Sequence, residues 1–166
     1  MSDPFPHSSP FDLRPRRAET TLRFVWVFPY APAPAGRPLR LLRCWLELPG
    51  VGVCDLALAV DTGADLSLVD GTFAAARGFD PTQGALRVEP IRGVSGVSTA
   101  YVHRVGCILG PPDDPRRLAL EIAFTDPEAP APPLNVLGRQ GFLDAFDIAL
   151  RNYLLPPCLY LAPRQR

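Results

Sequence analysis

The chain has 166 residues, which is enough for one domain with a sizeable core. Its 17 basic residues balance its 17 acidic residues, so no global electrostatic field favours nucleic acid or an anionic membrane as a partner. Every one of the basic residues is an arginine. The absence of lysine from the sequence excludes a Schiff-base mechanism and a lysine that binds phosphate.

The N-terminal segment 1–20 is polar and rich in proline, and we predict that it is a flexible arm. The predicted folded domain covers 21–162, and 163–166 form a short tail. A first strand is expected at Thr21–Tyr30, where β-branched and aromatic residues are frequent. The other prolines cluster in short segments between aliphatic runs, so they indicate loops rather than a disordered protein.

A hairpin of two strands, Leu39–Leu48 and Val53–Val60, leads into an Asp-Thr-Gly sequence at 61–63. A carboxylate at the end of a buried strand loses hydration, which is costly unless the group is paired or hydrogen-bonded. The threonine offers a hydroxyl that donates and accepts, and the glycine lets other groups approach the backbone. These three residues alone are also compatible with an ordinary turn.

The remaining elements are short, and turn residues separate them. The long hairpin across Ala85–Gly110 has a small glycine-serine tip at 92–99, typical of a surface hairpin or of a lid over a substrate. Many short strands and few helices predict an all-β domain resembling a barrel or a sandwich. The other predicted elements are a strand Leu66–Val69, a helix Phe73–Arg77 capped by Thr72, a strand Leu118–Phe124, an apolar strand from Leu134 that ends at Gly138, a helical turn Phe142–Phe146, and a final hairpin of Asp147–Leu150 and Leu154–Leu161.

Several kinds of chemistry have no support in the sequence. The two histidines, His7 and His103, lack neighbours at metal-ligand spacing, so we expect no metal and no cofactor. A Gly-x-Ser-x-Gly nucleophile motif is missing, and no motif pairs a cysteine with His103. No apolar run reaches the roughly 18–20 residues that span a bilayer. The four cysteines are expected to be free thiols, and we expect a cytoplasmic protein with no membrane partner.

A pair of carboxylates is the chemistry that is left. Two carboxyl groups about 3 Å apart cannot both ionise, so they share one proton, and one acts as acid while the other acts as base. Such a pair activates water and protonates the carbonyl oxygen of an amide. The sequence holds one Asp-Thr-Gly and no Asp-Ser-Gly. A symmetric pair of Asp61 side chains therefore requires a second copy of the chain, related by a two-fold axis.

Two motifs carry a resemblance to a known family. Ala59–Asp65 resembles the active-site motif of retroviral-type (retropepsin-like) aspartic proteases, and Asn135–Arg139 resembles their second signature. The glycine-rich stretch Ile91–Tyr101 lies where that family has its flap. The resemblance covers about residues 37–161. It implies a homodimer of all-β chains, each a retropepsin-like closed barrel with one or two short helices.

The resemblance also implies roles for individual residues. Asp61 is the catalytic carboxylate, Thr62 bonds across to the partner chain, and Gly63 leaves room for the substrate. Asp65 and Arg139 match positions that form an ion pair beside the site. The active-site loop is completed by Ala64, the flap comprises Gly93, Val94, Ser95, Gly96 and Val97, and the residues that pack beneath the loop are Val136, Leu137 and Gly138.

These features predict an aspartic endopeptidase that acts as a homodimer on extended peptides, with no nucleic-acid partner. The alternative is a catalytically silent retropepsin-like domain that dimerises or binds peptides. A third interpretation, an unrelated β-barrel that binds a ligand, leaves both motifs unexplained. Cleavage that is lost when Asp61 is replaced distinguishes the first interpretation from the other two.

Overall fold

A computed structural model of the chain describes residues 26–30, 40–93, 96–110, 113–132, 134–152 and 157–164. The described residues form ten strands, one α-helix and one 3-10 helix. In chain order these are β1 (Trp26–Pro29), β2 (Leu41–Leu48), β3 (Gly52–Val60), β4 (Ser67–Val69), α1 (Gly71–Ala75), β5 (Arg87–Gly93), β6 (Gly96–Leu109), β7 (Arg116–Thr125), β8 (Val136–Leu137), the 3-10 helix Leu143–Ala145, β9 (Phe146–Arg151) and β10 (Cys158–Pro163).

Six strands close into a barrel. Their order is β2-β3-β8-β4-β7-β6, and β6 pairs again with β2, so the ring has no open edge. Strand β8 lies between β3, to which it is parallel, and β4, to which it is antiparallel. Strands β4 and β7 are also parallel. The expected all-β closed barrel with short helices is confirmed.

The core follows from the alternation of side chains along the barrel strands. On β2 every second residue from Leu42 to Leu48 is buried, and on β6 Val105, Cys107 and Leu109 are buried in the same way. Successive side chains of a strand point to opposite faces, so these residues share the inside of the barrel. Burying apolar side chains of this size contributes about 1.5–3 kcal/mol each.

Strand β5 lies outside the ring and forms a hairpin with β6. The register runs from Arg87 opposite Val102 to Gly93 opposite Gly96. Among the described residues β5 pairs with β6 alone, and Pro90 lacks the N–H that a second neighbour would need. The long predicted hairpin is present, and residues 94–95 at its tip lie outside the described ranges.

A separate sheet of three antiparallel strands, in the order β1-β10-β9, packs on the barrel core. The Trp26 ring lies 5.8 Å from the Phe146 ring, and its Nε1–H donates to Asp114 Oδ2 at 3.0 Å. Pro163 is the last residue of β10 and pairs with Phe146.

The boundaries of several predicted elements shift. Helix α1 covers Gly71–Ala75 instead of the predicted Phe73–Arg77, because the cap is Asp70: its Oδ1 accepts from the Thr72 N–H at 2.9 Å. The predicted helical turn after Gly141 is a 3-10 helix. The predicted segments 21–25 and 154–156 lie outside the described ranges.

Neither helix of the described residues has the length and apolar character that crossing a bilayer requires.

Candidate active site

The Asp-Thr-Gly sequence forms the turn that leaves β3. The Asp61 N–H donates to the carbonyl of Leu137 at 3.0 Å, which ties the start of the turn to β8. The Asp61 carboxylate accepts from the Gly63 N–H through Oδ1 at 2.9 Å, and this bond fixes the side chain's direction. Residues 61–63 are exposed in the single chain. The expectation that Asp61 is desolvated is therefore wrong for the isolated protomer, since none of the described residues of its own chain covers it.

The turn continues into β4 by passing over the end of β8, because β8 lies between β3 and β4. Gly138 follows β8 directly and sits under this crossing. A Cβ at Gly138 would lie 2.3 Å from the carbonyl oxygen of Leu66 and 2.9 Å from that of Ala64. Such contacts are not tolerated, so this position requires glycine. Val136, Leu137 and Gly138 thus lie beneath the loop.

Backbone hydrogen bonds hold the far side of the loop. The N–H of Arg139 donates to the carbonyl of Ala64, and the N–H of Gln140 donates to that of Asp65, both at 2.8 Å. The structure also brings the Arg139 and Asp65 side chains together, with Nη2 donating to Oδ1 at 2.6 Å. These side chains are 61% and 69% exposed. An ion pair so exposed contributes only about 0.2–1 kcal/mol, so the backbone bonds matter more.

Two polar residues that sequence analysis gave no role support the same crossing. The buried Ser67 Oγ accepts from the Gly138 N–H at 3.1 Å. Asn135 accepts twice: its backbone carbonyl from Ala59 at 2.8 Å and its Oδ1 from the Asp70 N–H at 2.7 Å. Ser67 begins the short strand β4 and Asn135 precedes the short strand β8, and a polar residue at the start of an apolar segment was the signal that the sequence offered. Their partners are distant in sequence, so the pattern did not identify the bonds.

We expect Ser67→Ala to lower the free energy of unfolding by about 1–3 kcal/mol, because the buried Gly138 N–H then loses its acceptor. Urea unfolding at matched protein concentration measures the change. Ser98→Ala is the control, since the Ser98 hydroxyl makes one long bond, 3.4 Å, to a neighbouring carbonyl. Equal unfolding midpoints for the two variants would contradict the role given to Ser67.

A small apolar cluster lies on the outer face of the barrel beside this loop. Ala100, Val102 and Ala123 are fully buried, and partly buried side chains from the loop, β4 and β5 cover them. These covering residues are Leu66, Leu68 and Ile91. Through this cluster, Leu66 of the Asp61 loop is packed together with the hairpin β5–β6.

A network of charged side chains lies on the same outer face of the barrel, farther from the tip of the hairpin β5–β6. The Arg87 guanidinium bonds to both Glu89 and Glu121, and Arg104 lies 4.0 Å from Glu121. The bond to Glu89, and next the bond to Glu121, raises the pKa of Arg87. The base of the hairpin is thereby attached to β7.

The predicted flap residues fall on the hairpin β5–β6. Gly93 ends β5 and Gly96 begins β6, facing it across the turn. Val97 is 70% exposed, which makes it the most exposed of the large apolar side chains in the described part of the chain. Val94 and Ser95 lie outside the described residues.

Two other reactive side chains of the described residues, His103 and Cys44, are buried in the core and bonded there. His103 is buried, its Nε2 is 2.8 Å from the Pro81 carbonyl oxygen, and its ring lies 5.0 Å from that of Phe79. A hydrogen bond with Cys107, together with burial, raises the pKa of the Cys44 thiol far above its usual range. Neither group is available as a nucleophile or base. In the described ranges, no three His, Cys, Asp or Glu side chains are grouped as metal ligands.

Comparison with known proteins gives a likeness of fold. No family model matches the sequence, and no curated protein matches it. Among solved structures, the chain is similar to a retropepsin-like aspartic protease from Rickettsia conorii, with a TM-score of 0.52 and 17% sequence identity. The match covers 82% of this chain and 99% of that one. The chain has a retropepsin-like fold, and its Asp-Thr-Gly loop leaves β3 beside an apolar cluster that reaches the hairpin β5–β6.

Proposed function

We propose that the chain is one half of a homodimeric aspartic endopeptidase. The observation that carries the proposal is the Asp61 loop: an exposed carboxylate is fixed in direction by the Gly63 N–H and supported from below by the end of β8. An exposed carboxylate alone does little to an amide. Faced by the same group of a second copy, it becomes half of an acid and base pair.

The proposed reaction follows from that pair. One Asp61 carboxylate takes a proton from a water molecule while the water oxygen attacks the carbonyl carbon of the peptide bond. The other, protonated carboxyl gives its proton to the carbonyl oxygen. Collapse of the tetrahedral intermediate then breaks the C–N bond, and the amine leaves with a proton from the pair. The exposed Thr62 hydroxyl is free to hydrogen-bond to the partner's loop and hold the two loops in register.

The surroundings of the loop support an extended peptide as substrate. The hairpin β5–β6 extends beyond the closed ring, and its glycines suit a segment that moves over a bound chain. Leu66, Leu68 and Ile91 offer an apolar surface between the loop and this hairpin, where an aliphatic side chain of the substrate fits. Peptides bound in this way gain affinity from backbone hydrogen bonds and specificity from side-chain pockets.

The test is a cleavage assay on the purified chain with a library of extended peptides, from acid to neutral pH, read by mass spectrometry. We expect cleavage that is blocked by a peptide analogue carrying a hydroxyl in place of the scissile carbonyl, because that group resembles the tetrahedral intermediate. A folded dimer that cleaves no peptide would instead favour the catalytically silent dimerisation or peptide-binding domain.

A further inference from the structure

The two strands of the hairpin β5–β6 are held to the barrel to different degrees. Among the described residues β5 pairs with β6 alone, whereas β6 pairs with β7 and β2 as well. The pairing of β6 with β7 runs from Leu109 to Ala100, and the Asp126 N–H extends it by donating to the Thr99 carbonyl at 3.1 Å. Backbone bonds therefore attach β6 to the barrel as far as Thr99, but they attach β5 only to β6.

One side chain of β5 reaches past β6 to β7. Arg87 lies opposite Val102 of β6, and Val102 lies opposite Ala123 of β7, so the three residues form one row across the sheet. The Arg87 guanidinium bonds to Glu121, which is two residues from Ala123 on β7. It also bonds to Glu89 of its own strand. Neighbouring strands lie about 4.7–4.9 Å apart, so the Arg87 side chain spans two strand spacings on the outer face of the barrel.

We propose that Arg87 is a positioning residue, which fixes the angle at which the hairpin β5–β6 leaves the barrel beside the Asp61 loop and thereby sets the affinity for an extended peptide. The inference rests on the proposed function, in which the peptide binds between this hairpin and the loop. Arg87 contacts neither the peptide nor Asp61. It acts through the strand on which it lies.

The alternation of side chains along β5 places this attachment at the base of the hairpin. Arg87, Glu89 and Ile91 share one face of the strand, because successive side chains point to opposite faces. Ile91 is the nearest of the three to the tip, and it packs on the same apolar cluster as Leu66 and Leu68. One face of β5 therefore carries a charged contact at its base and an apolar contact towards the Asp61 loop.

The two contacts respond differently to a bound peptide. An aliphatic side chain of the peptide can take the place of Ile91 on the cluster and keep the same apolar surface buried. A peptide cannot take the place of Arg87 in this way, because Glu89 and Glu121 would then share a face without the cation that joins them. Opening of the hairpin is therefore confined to the residues beyond Glu89, and the base keeps its position.

The geometry of the network requires an arginine at this position. The side chains of Arg87, Glu89 and Glu121 are 36%, 36% and 32% exposed, so any one ion pair among them is weak. The planar guanidinium binds both carboxylates at once, which the single ammonium of a lysine does less well. Arg104 belongs to the same network but lies on β6, opposite Glu121 and 4.0 Å from it. It therefore adds charge to the network without attaching β5.

Hydrogen exchange of the folded chain tests the positioning role without a substrate. We expect Arg87→Gln to speed the exchange of the β5 amides about tenfold, because the strand loses its attachment to β7 and opens more often. The amides of β2 and β3 keep the exchange rates of the natural chain. Arg104→Gln is the matched control, with β5 exchange within about twofold of the natural rate, because it removes a charge from the network and leaves the Arg87 bonds in place.

Two further variants separate geometry from charge. Arg87→Lys keeps the charge but loses the planar fork, and we expect β5 exchange about threefold faster than in the natural chain. Adding Glu121→Gln to Arg87→Gln causes no further increase, because the two side chains act through one contact. A double variant whose increase equals the product of the two single effects would contradict that shared contact.

Kinetics on a peptide that the natural chain cleaves measure the consequence for binding. We expect Arg87→Gln to raise KM about fivefold and to leave kcat within about twofold. The reason is that fewer hairpins are in the arrangement that binds the peptide, whereas the pair of Asp61 carboxylates is unchanged. Arg104→Gln keeps the KM of the natural chain. A fall in kcat at unchanged KM would overturn the inference.

The outcomes separate this inference from the proposed function. Natural exchange rates in β5 of the Arg87→Gln chain overturn the positioning role, even if the natural chain cleaves peptides. Faster exchange in β5 with an unchanged KM overturns the effect on peptide affinity. If the natural chain cleaves no peptide, the proposed protease is rejected, and the exchange measurement still decides whether Arg87 positions the hairpin.

Discussion

Asp61→Asn is expected to reduce peptide cleavage by at least about 1,000-fold while the chain stays folded and dimeric, since the amide can neither act as a base nor share a proton. The comparison is made with Asp55→Asn, the same substitution at an exposed aspartate of β3 whose pKa is lowered by its hydrogen bond to Arg43. Asp55→Asn should cleave at the rate of the natural chain. Cleavage by Asp61→Asn at the rate of the control would reject the assignment of Asp61.

Mixing the two forms tests whether two copies share one site. When Asp61→Asn protein is mixed in equal amount with the natural chain and subunits exchange, about half of all dimers are hybrids with a single carboxylate. If the pair is needed, the activity per natural subunit falls to about half its original value. A chain that works alone would show no such fall. The result separates a shared site from a site within each protomer.

Gly138→Ala is expected to have the largest effect on stability, about 3 kcal/mol, together with loss of cleavage. The new Cβ meets the backbone of Leu66 at 2.3 Å and 2.4 Å, and this backbone, directly before β4, cannot move aside without disturbing the loop. Chemical denaturation at fixed protein concentration measures the loss.

The matched variant is Gly106→Ala. Its Cβ would lie 1.9 Å from Glu47 Oε2, but that oxygen is the end of a side chain that can rotate away and give up its bond to Arg117. We expect about 1 kcal/mol for this change. If the two alanine variants were equally stable, the tight packing under the Asp61 loop would not be what requires glycine there.

Local sequence predicted the parts of the site that depend on neighbouring residues. The sequence was sufficient to predict the apolar strand before Asp61, the turn at Gly63 and the glycine-rich hairpin. These elements depend on period-two alternation and turn residues, which are short-range signals. The order of strands in the barrel could not be predicted from the sequence, because β8 comes from a distant part of the chain and inserts between β3 and β4. The exposure of Asp61 and the bonds of Ser67 and Asn135 depend on that insertion, so they appeared only in the structure.

The predicted boundaries of helix α1 were wrong for a different reason. Thr72 was the expected cap of α1, but Asp70 lies two residues earlier and its carboxylate accepts from the Thr72 N–H at 2.9 Å, while Thr72 Oγ1 donates to Asp70 Oδ2 at 2.6 Å. Aspartate and threonine are both good caps, with aspartate somewhat preferred, so the two residues offered two alternative starts for the helix.

The insertion of β8 has a consequence for the order of folding. The Ser67 and Gly138 groups that bond under the Asp61 loop are 71 positions apart, and the loop's other supports, Leu137 and Arg139, come from the same late segment. Contacts between distant residues form slowly, because the intervening chain must first be closed into a loop. During synthesis the Asp-Thr-Gly sequence therefore emerges long before the segment around Gly138 that supports it from below. The bond from the Gly63 N–H to Asp61 is local, but the position of the loop is set only when that later segment is available, so the newly made chain first carries the motif without an assembled site.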